Sequence, residues 1–160
     1  MSKDKIFIFD TTLRDGAQTE GVDFTVNDKV KIAKRLNDIG VDYIEGGWPG
    51  ANPTDTEYFN APQKLDKSIF TAFGMTKKLG RSADNDPSLA PILNANTKAV
   101  CIVGKTWDFH VDIALGITKD ENLVNIKETA KYFIKNNREF IFDAEHFFDG
   151  YKTNPNYALD

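Results

Sequence analysis

Cysteine is almost absent from this sequence: Cys101 is the only one in 160 residues, so no intrachain disulfide can form and a reducing compartment fits. It lies inside the apolar run AVCIV at residues 99–103, which reads as a buried, inert thiol. Positive charge is not in excess, since 20 Lys and Arg face 24 Asp and Glu for a formal net charge of -4, with the lysines scattered. No basic surface for nucleic acid follows from that. No apolar run approaches the roughly 20 residues of a membrane-spanning helix. Residues 1–5, MSKDK, lead directly into an apolar segment with no signal-peptide core. These absences read as cytoplasmic, with neither nucleic acid nor membrane as partner. A composition of 41% hydrophobic and 28% charged residues suits one globular unit.

What is present is an alternation of short apolar runs with amphipathic stretches. Residues 6–9 (IFIF), 41–45, 68–74, 99–103 and 140–142 have the length and composition of buried strands. Between the first two, Thr25 is a good N-cap with Asp28 three residues on, and Val26, Val30, Ala33, Leu36 and Ile39 form an apolar helical stripe. Lys29, Lys31, Lys34 and Arg35 fall largely off it and read as a solvated face, and Gly40 stops the helix. Further helices are expected from the cap Thr54, from Asp86-Pro87, from the Thr118/Glu121 capping box to about Asn136, and from Asn154-Pro155 onward. Five strands alternating with helices predict a parallel α/β architecture, with chemistry in the loops at the carboxyl ends of the strands.

The charged stretch after the first strand, DTTLRDGAQ at residues 10–18, resembles the signature of the pyruvate carboxylase-like lyases and synthases built on a TIM (β/α)8 barrel. That family includes 2-isopropylmalate, homocitrate and citramalate synthases and 3-hydroxy-3-methylglutaryl-CoA lyase. GGWPGANP at residues 46–53, GKTWDFHV at 104–111 and DAEHFFDGYK at 143–152 are similar to its citramalate synthase branch. The loop MTKK at residues 75–78, with Arg81, is similar to the family's basic segment, where Lys77, Lys78 and Arg81 could meet coenzyme A phosphates or face water. A complete barrel takes about 250 residues. The expectation is therefore an incomplete barrel of about five βα units out of eight, residues 1–160 being the amino-terminal portion of the catalytic domain.

The resemblance implies an acyltransferase that condenses acetyl-CoA with pyruvate to citramalate, towards isoleucine, as a homodimer in the full-length protein. 2-Isopropylmalate or homocitrate synthase is the alternative, and an inactive half-barrel that needs a partner chain is another. Asp15 matches the family's metal-binding acid, for Mg2+, Mn2+ or Zn2+; Arg14 matches its arginine, whose planar fork suits an oxyanion. Glu145 matches the glutamate of the acid/base work. Gln18 and His110 are candidates for substrate binding, Gln18 equally for bracing its turn. The family completes its metal site with a His-x-His pair on strand seven, and this sequence stops before strand six.

Overall fold

In a computed structural model the described residues are 5–61 and 64–160, so the expectation of a direct start at residues 1–4 lies outside them. Five strands, β1 (Phe9–Asp10), β2 (Tyr43–Gly47), β3 (Ile69–Met75), β4 (Ala99–Lys105) and β5 (Glu139–Glu145), form one parallel sheet in sequence order. Helices α1 (Val26–Ile39), α2 (Pro53–Asn60), α3 (Leu89–Asn94), α4 (Asp108–His110) and α5 (Lys119–Lys135) lie between strands, and α6 (Phe147–Thr153) and α7 (Pro155–Leu159) follow β5. The expected alternation is therefore present, with both β1 and β5 at an edge.

Period-two alternation along the strands separates two faces. Ala72, Val100 and Ile102 pack with Leu89, Ile92 and Phe133, while Ile44 packs with Leu13, Ala33 and Tyr58. Their alternates Phe73, Cys101 and Val103 meet Phe9, Trp48 and Ile141 on the other face. Cys101 is buried as expected, and burial together with the neighbouring Glu45 pushes its thiol well up.

The predicted Thr118/Glu121 capping box opens α5, and the expected cap Thr25 forms a full box with Asp28 at the start of α1. Gly40 ends α1 at φ 89°, the left-handed geometry that favours glycine.

Several expectations need correction. The strand at residues 6–9 shrinks to two paired residues, Phe9 and Asp10, leaving Ile6, Phe7 and Ile8 exposed, because among the described residues β1 has β2 as its single neighbour in the sheet. Gly46 and Gly47 belong to β2 and not to an irregular loop. The cap of α2 is Asn52 rather than Thr54: its side chain accepts from the Asp55 amide at 2.7 Å, and Pro53 takes the first turn. Asp86 does not open a helix. Its carboxylate accepts from the Lys78 and Ser88 amides, and α3 begins at Leu89. Most consequentially, the inward line of α1 is Lys29, Ala33 and Asn37, with Val30 and Ile39 exposed, so Lys29 is not on a solvated face.

Candidate active site

The turn after β1 is drawn tight by one carbonyl: the amides of Arg14, Asp15 and Gly16 all donate to Thr11 O, at 3.1, 2.9 and 3.1 Å. This places an arginine and a carboxylate side by side at the carboxyl end of the sheet. Arg14 Nε donates to Glu45 Oε2 at 2.6 Å, and Arg14 Nη1 donates to Asp15 Oδ1 at 3.1 Å. The guanidinium lies 3.9 Å from the centre of the Phe73 ring, a cation–π contact that flattens it against β3. Glu45, the middle residue of β2, is fully buried, and among the described residues its Oε1 has no hydrogen-bond partner. Burial raises its carboxyl above the ordinary range, and Arg14 and the Cys101 thiol oppose that rise.

Across the cleft, Asp143 and Glu145 occupy alternate positions of β5 and so share the face of the sheet that carries Ile141. Burial raises the Asp143 carboxyl, opposed by Arg14 and reinforced by Glu145 and Asp15. Glu145 is ion-paired through Oε2 with Lys105 of β4, whose register partner it is. Arg14, Asp15, Glu45, Asp143 and Glu145 line a cleft of about 510 Å3 with Phe9, Thr11 and Cys101. Four acidic side chains thus surround Arg14 in this cleft, with Lys105 outside its lining and paired to Glu145.

Of the residues picked out from sequence, Arg14, Asp15 and Glu145 meet in this cleft. Gln18 does not: it ends a short turn, Gly16–Gln18, and lines an adjoining hollow of about 330 Å3 with Arg14, Trp48 and Asn52. His110 sits apart as well, its ring 4.7 Å from Trp107 and 4.6 Å edge-on to His146. Lys77 corrects the picture of an open basic loop: it is buried, pairs with Glu128 at 2.9 Å and donates to Arg81 O at 2.9 Å. That leaves Lys77 no free charge for a phosphate.

Glu45 and Asp143 were missed from sequence. The available signal was a carboxylate lying within or closing an apolar strand, a place where charge is costly unless used. Among the described residues no three His, Cys, Asp or Glu side chains are grouped to hold a metal ion. Among them, too, no helix is long and apolar enough to cross a membrane.

A parallel α/β sheet with charged and acidic side chains gathered at the carboxyl ends of its strands defines the class: a portion of a (β/α) barrel. The chain belongs to the HMGL-like family, whose profile matches residues 5–158. It is 50% identical to the (R)-citramalate synthase of Aquifex aeolicus over 98% of its own length and 30% of that protein's. It is 37% identical to a 2-isopropylmalate synthase of Sulfolobus acidocaldarius over 80% of its length, 32% of that protein's. In fold it matches the crystal structure of hydroxymethylglutaryl-CoA lyase from Pseudomonas aeruginosa with a TM-score of 0.68 at 17% identity, covering 86% of this chain and 45% of that one. The chain thus spans under half the length of each of these proteins, and the expected half-barrel is what it forms.

Proposed function

We propose that this chain is the amino-terminal portion, residues 1–160, of a barrel that condenses acetyl-CoA with pyruvate to give citramalate and CoA. The observation that carries this reading is the Arg14–Glu45–Asp15 constellation: a guanidinium held at 2.6 Å by a buried carboxylate and at 3.1 Å by an exposed one. The higher identity to a citramalate synthase than to a 2-isopropylmalate synthase supports pyruvate as the 2-oxo acid.

Two of the three Arg14 nitrogens are engaged by carboxylates, so the fork is preset before substrate arrives. Its remaining Nη2 is available to an oxyanion: the enolate oxygen that develops when the acetyl methyl loses a proton, or the former keto oxygen after carbon–carbon bond formation. Glu145 is the residue for that proton. Lys105 holds its Oε2, and its Oε1 is left to act as base. The enolate carbon then bonds to the keto carbon of pyruvate as its C=O π bond opens, the resulting alkoxide takes back the proton held by Glu145, and water cleaves the thioester to release CoA.

Asp15 supplies one ligand for a divalent cation, its side chain 63% exposed and its Oδ2 unengaged by Arg14. One carboxylate does not hold such an ion, since catalytic sites take about three protein ligands. The residues present therefore do not make a complete metal site, and no step above runs through one.

The test is the full-length protein with labelled acetyl-CoA and either pyruvate or 2-oxoisovalerate. Citramalate formation from pyruvate is expected; turnover of 2-oxoisovalerate alone replaces this reading with the 2-isopropylmalate synthase one. The 160-residue chain alone, with two unpaired sheet edges, is expected to self-associate and to form no product.

A further inference from the structure

Lys29 is 3% exposed, and its ammonium makes three polar contacts and lies 5.8 Å from the centre of the Tyr58 ring. It donates to Leu13 O at 2.9 Å, to Gly46 O at 3.1 Å, and to the Asp55 carboxylate in a close ion pair. Leu13 immediately precedes Arg14, and Gly46 immediately follows Glu45. One buried charge on α1 therefore ties together the backbone beside each member of the Arg14–Glu45 pair.

The other end of the ion pair is equally built in. Asp55 Oδ2 accepts from the Trp48 amide at 2.8 Å and from Asn52 Nδ2 at 3.0 Å. Gly47, at φ 149°, admits this approach: a Cβ there would lie 2.5 Å from the carboxyl carbon of Asp55. The β2 strand end is thus held between Lys29 and Asp55, through the Leu13 and Gly46 carbonyls on one side and the Trp48 amide on the other, and neither side chain lines the carboxylate cleft. Nothing in the condensation chemistry uses either group, yet a lysine and an aspartate are placed where apolar side chains would pack α1 and α2 more simply.

We propose that Lys29 and Asp55 are positioning residues, an internal clamp that fixes the separation of the β1 turn and the β2 end and so keeps Arg14 seated on Glu45. The functional consequence rests on the condensation reading above; the geometric one does not. Freed from Lys29, the two carbonyls let the turn drift. Misplacement of a reacting group by about 1 Å costs on the order of 100-fold in rate.

The experiment uses the full-length protein with Lys29→Met, the paired change Lys29→Met with Asp55→Asn, and Lys34→Met on the exposed side of α1 as control. Lys29→Met leaves Asp55 charged and unpaired, so it lowers both the melting temperature and kcat. The paired change removes the lone charge while leaving an oxygen for the Trp48 amide, so it regains most of the melting temperature. Its kcat, measured well below melting on fully folded protein, is expected to stay down by at least about tenfold, with KM for both substrates within twofold. Recovery of kcat along with stability reduces the pair to a packing element and overturns the proposal. If the wild type uses another 2-oxo acid, the condensation reading changes but the same comparison is run with that acid. A crystal structure of the Lys29→Met protein gives the answer without any turnover: Arg14 Nε still within 3 Å of Glu45 Oε2 overturns the clamp, and a displaced turn supports it.

Discussion

Two cation–carboxylate pairs bring their acids to the same cleft, and they are built differently. Arg14–Glu45 joins the β1 turn to an inner strand, with a fully buried acid, an aromatic ring under the cation and a backbone clamp behind it. Lys105–Glu145 joins β4 to the edge strand β5, with side chains 18% and 34% exposed and no ring or clamp. The first keeps an arginine in one place at the cost of desolvating a carboxylate. The second lies at the sheet edge with a more exposed acid, where water screens part of the attraction. A condensation needs one of each: a fixed positive end for a developing oxyanion, and a base that can change its state.

The sharpest way to break this contrast is Arg14→Met, which strands a buried carboxylate. Turnover of the full-length protein should fall by about a thousandfold, and chemical denaturation should register a loss of about 3 kcal/mol. A smaller effect on stability than on rate would still fit; the reverse would mean that the pair is structural only. Glu145→Gln comes next: turnover drops on the order of 100-fold while stability moves by less than about 1 kcal/mol. Steady-state kinetics beside melting curves separate the two.

The pH dependence of stability gives a third contrast. Burial raises the folded pKa of Glu45 above its ordinary 4.5, so the folded state binds that proton more tightly than the unfolded chain does. Its contribution is present in full below the unfolded value and is lost as pH rises through the folded one. Melting temperatures taken upward from pH 4.5 should therefore fall for wild type relative to Glu45→Gln; a gap that moves the other way would contradict the burial argument. The capping carboxylates Asp28 and Glu121 behave oppositely, since hydrogen bonds from Thr25 and Thr118 lower them. Their contribution is present above their unfolded values and is lost as pH falls through the lowered ones. Smallest of all is Lys105→Met, expected to change stability by less than about 1 kcal/mol and turnover only a few-fold, through a less ordered Glu145.

How much of this was legible beforehand depended on range. Arg14 and Asp15 stood out as a charged turn after an apolar strand, and they and Glu145 were picked out through their match to the family's motifs. Glu45 was taken as the tail of a strand, since nothing local distinguishes an acid that faces solvent from one that faces an arginine 31 positions away. Lys29 was misread for a related reason. Helical periodicity ranks residues by polarity, and here the wall that α1 packs on is itself polar: Leu13 O, Gly46 O and Asp55. The same holds on α5, whose inward line runs Asn122, Asn125, Thr129 and Phe133 because Asn122 bonds Lys105 O and Tyr157, and Thr129 bonds the Lys77 amide. His110 looked promising in its motif, yet its partners are Trp107 and His146, the latter 36 positions away, and not the cleft.

The amino-acid sequence by itself determined the helix caps, the order of strands and helices and the turn that presents Arg14 and Asp15, because each is decided by groups a few residues apart competing for the same backbone hydrogen bonds. Only the tertiary structure decided which charges are buried, which carboxylate seats the arginine and which lysine braces it. Desolvation and ion pairing depend on what the folded chain brings within a few ångströms, and no local pattern encodes that.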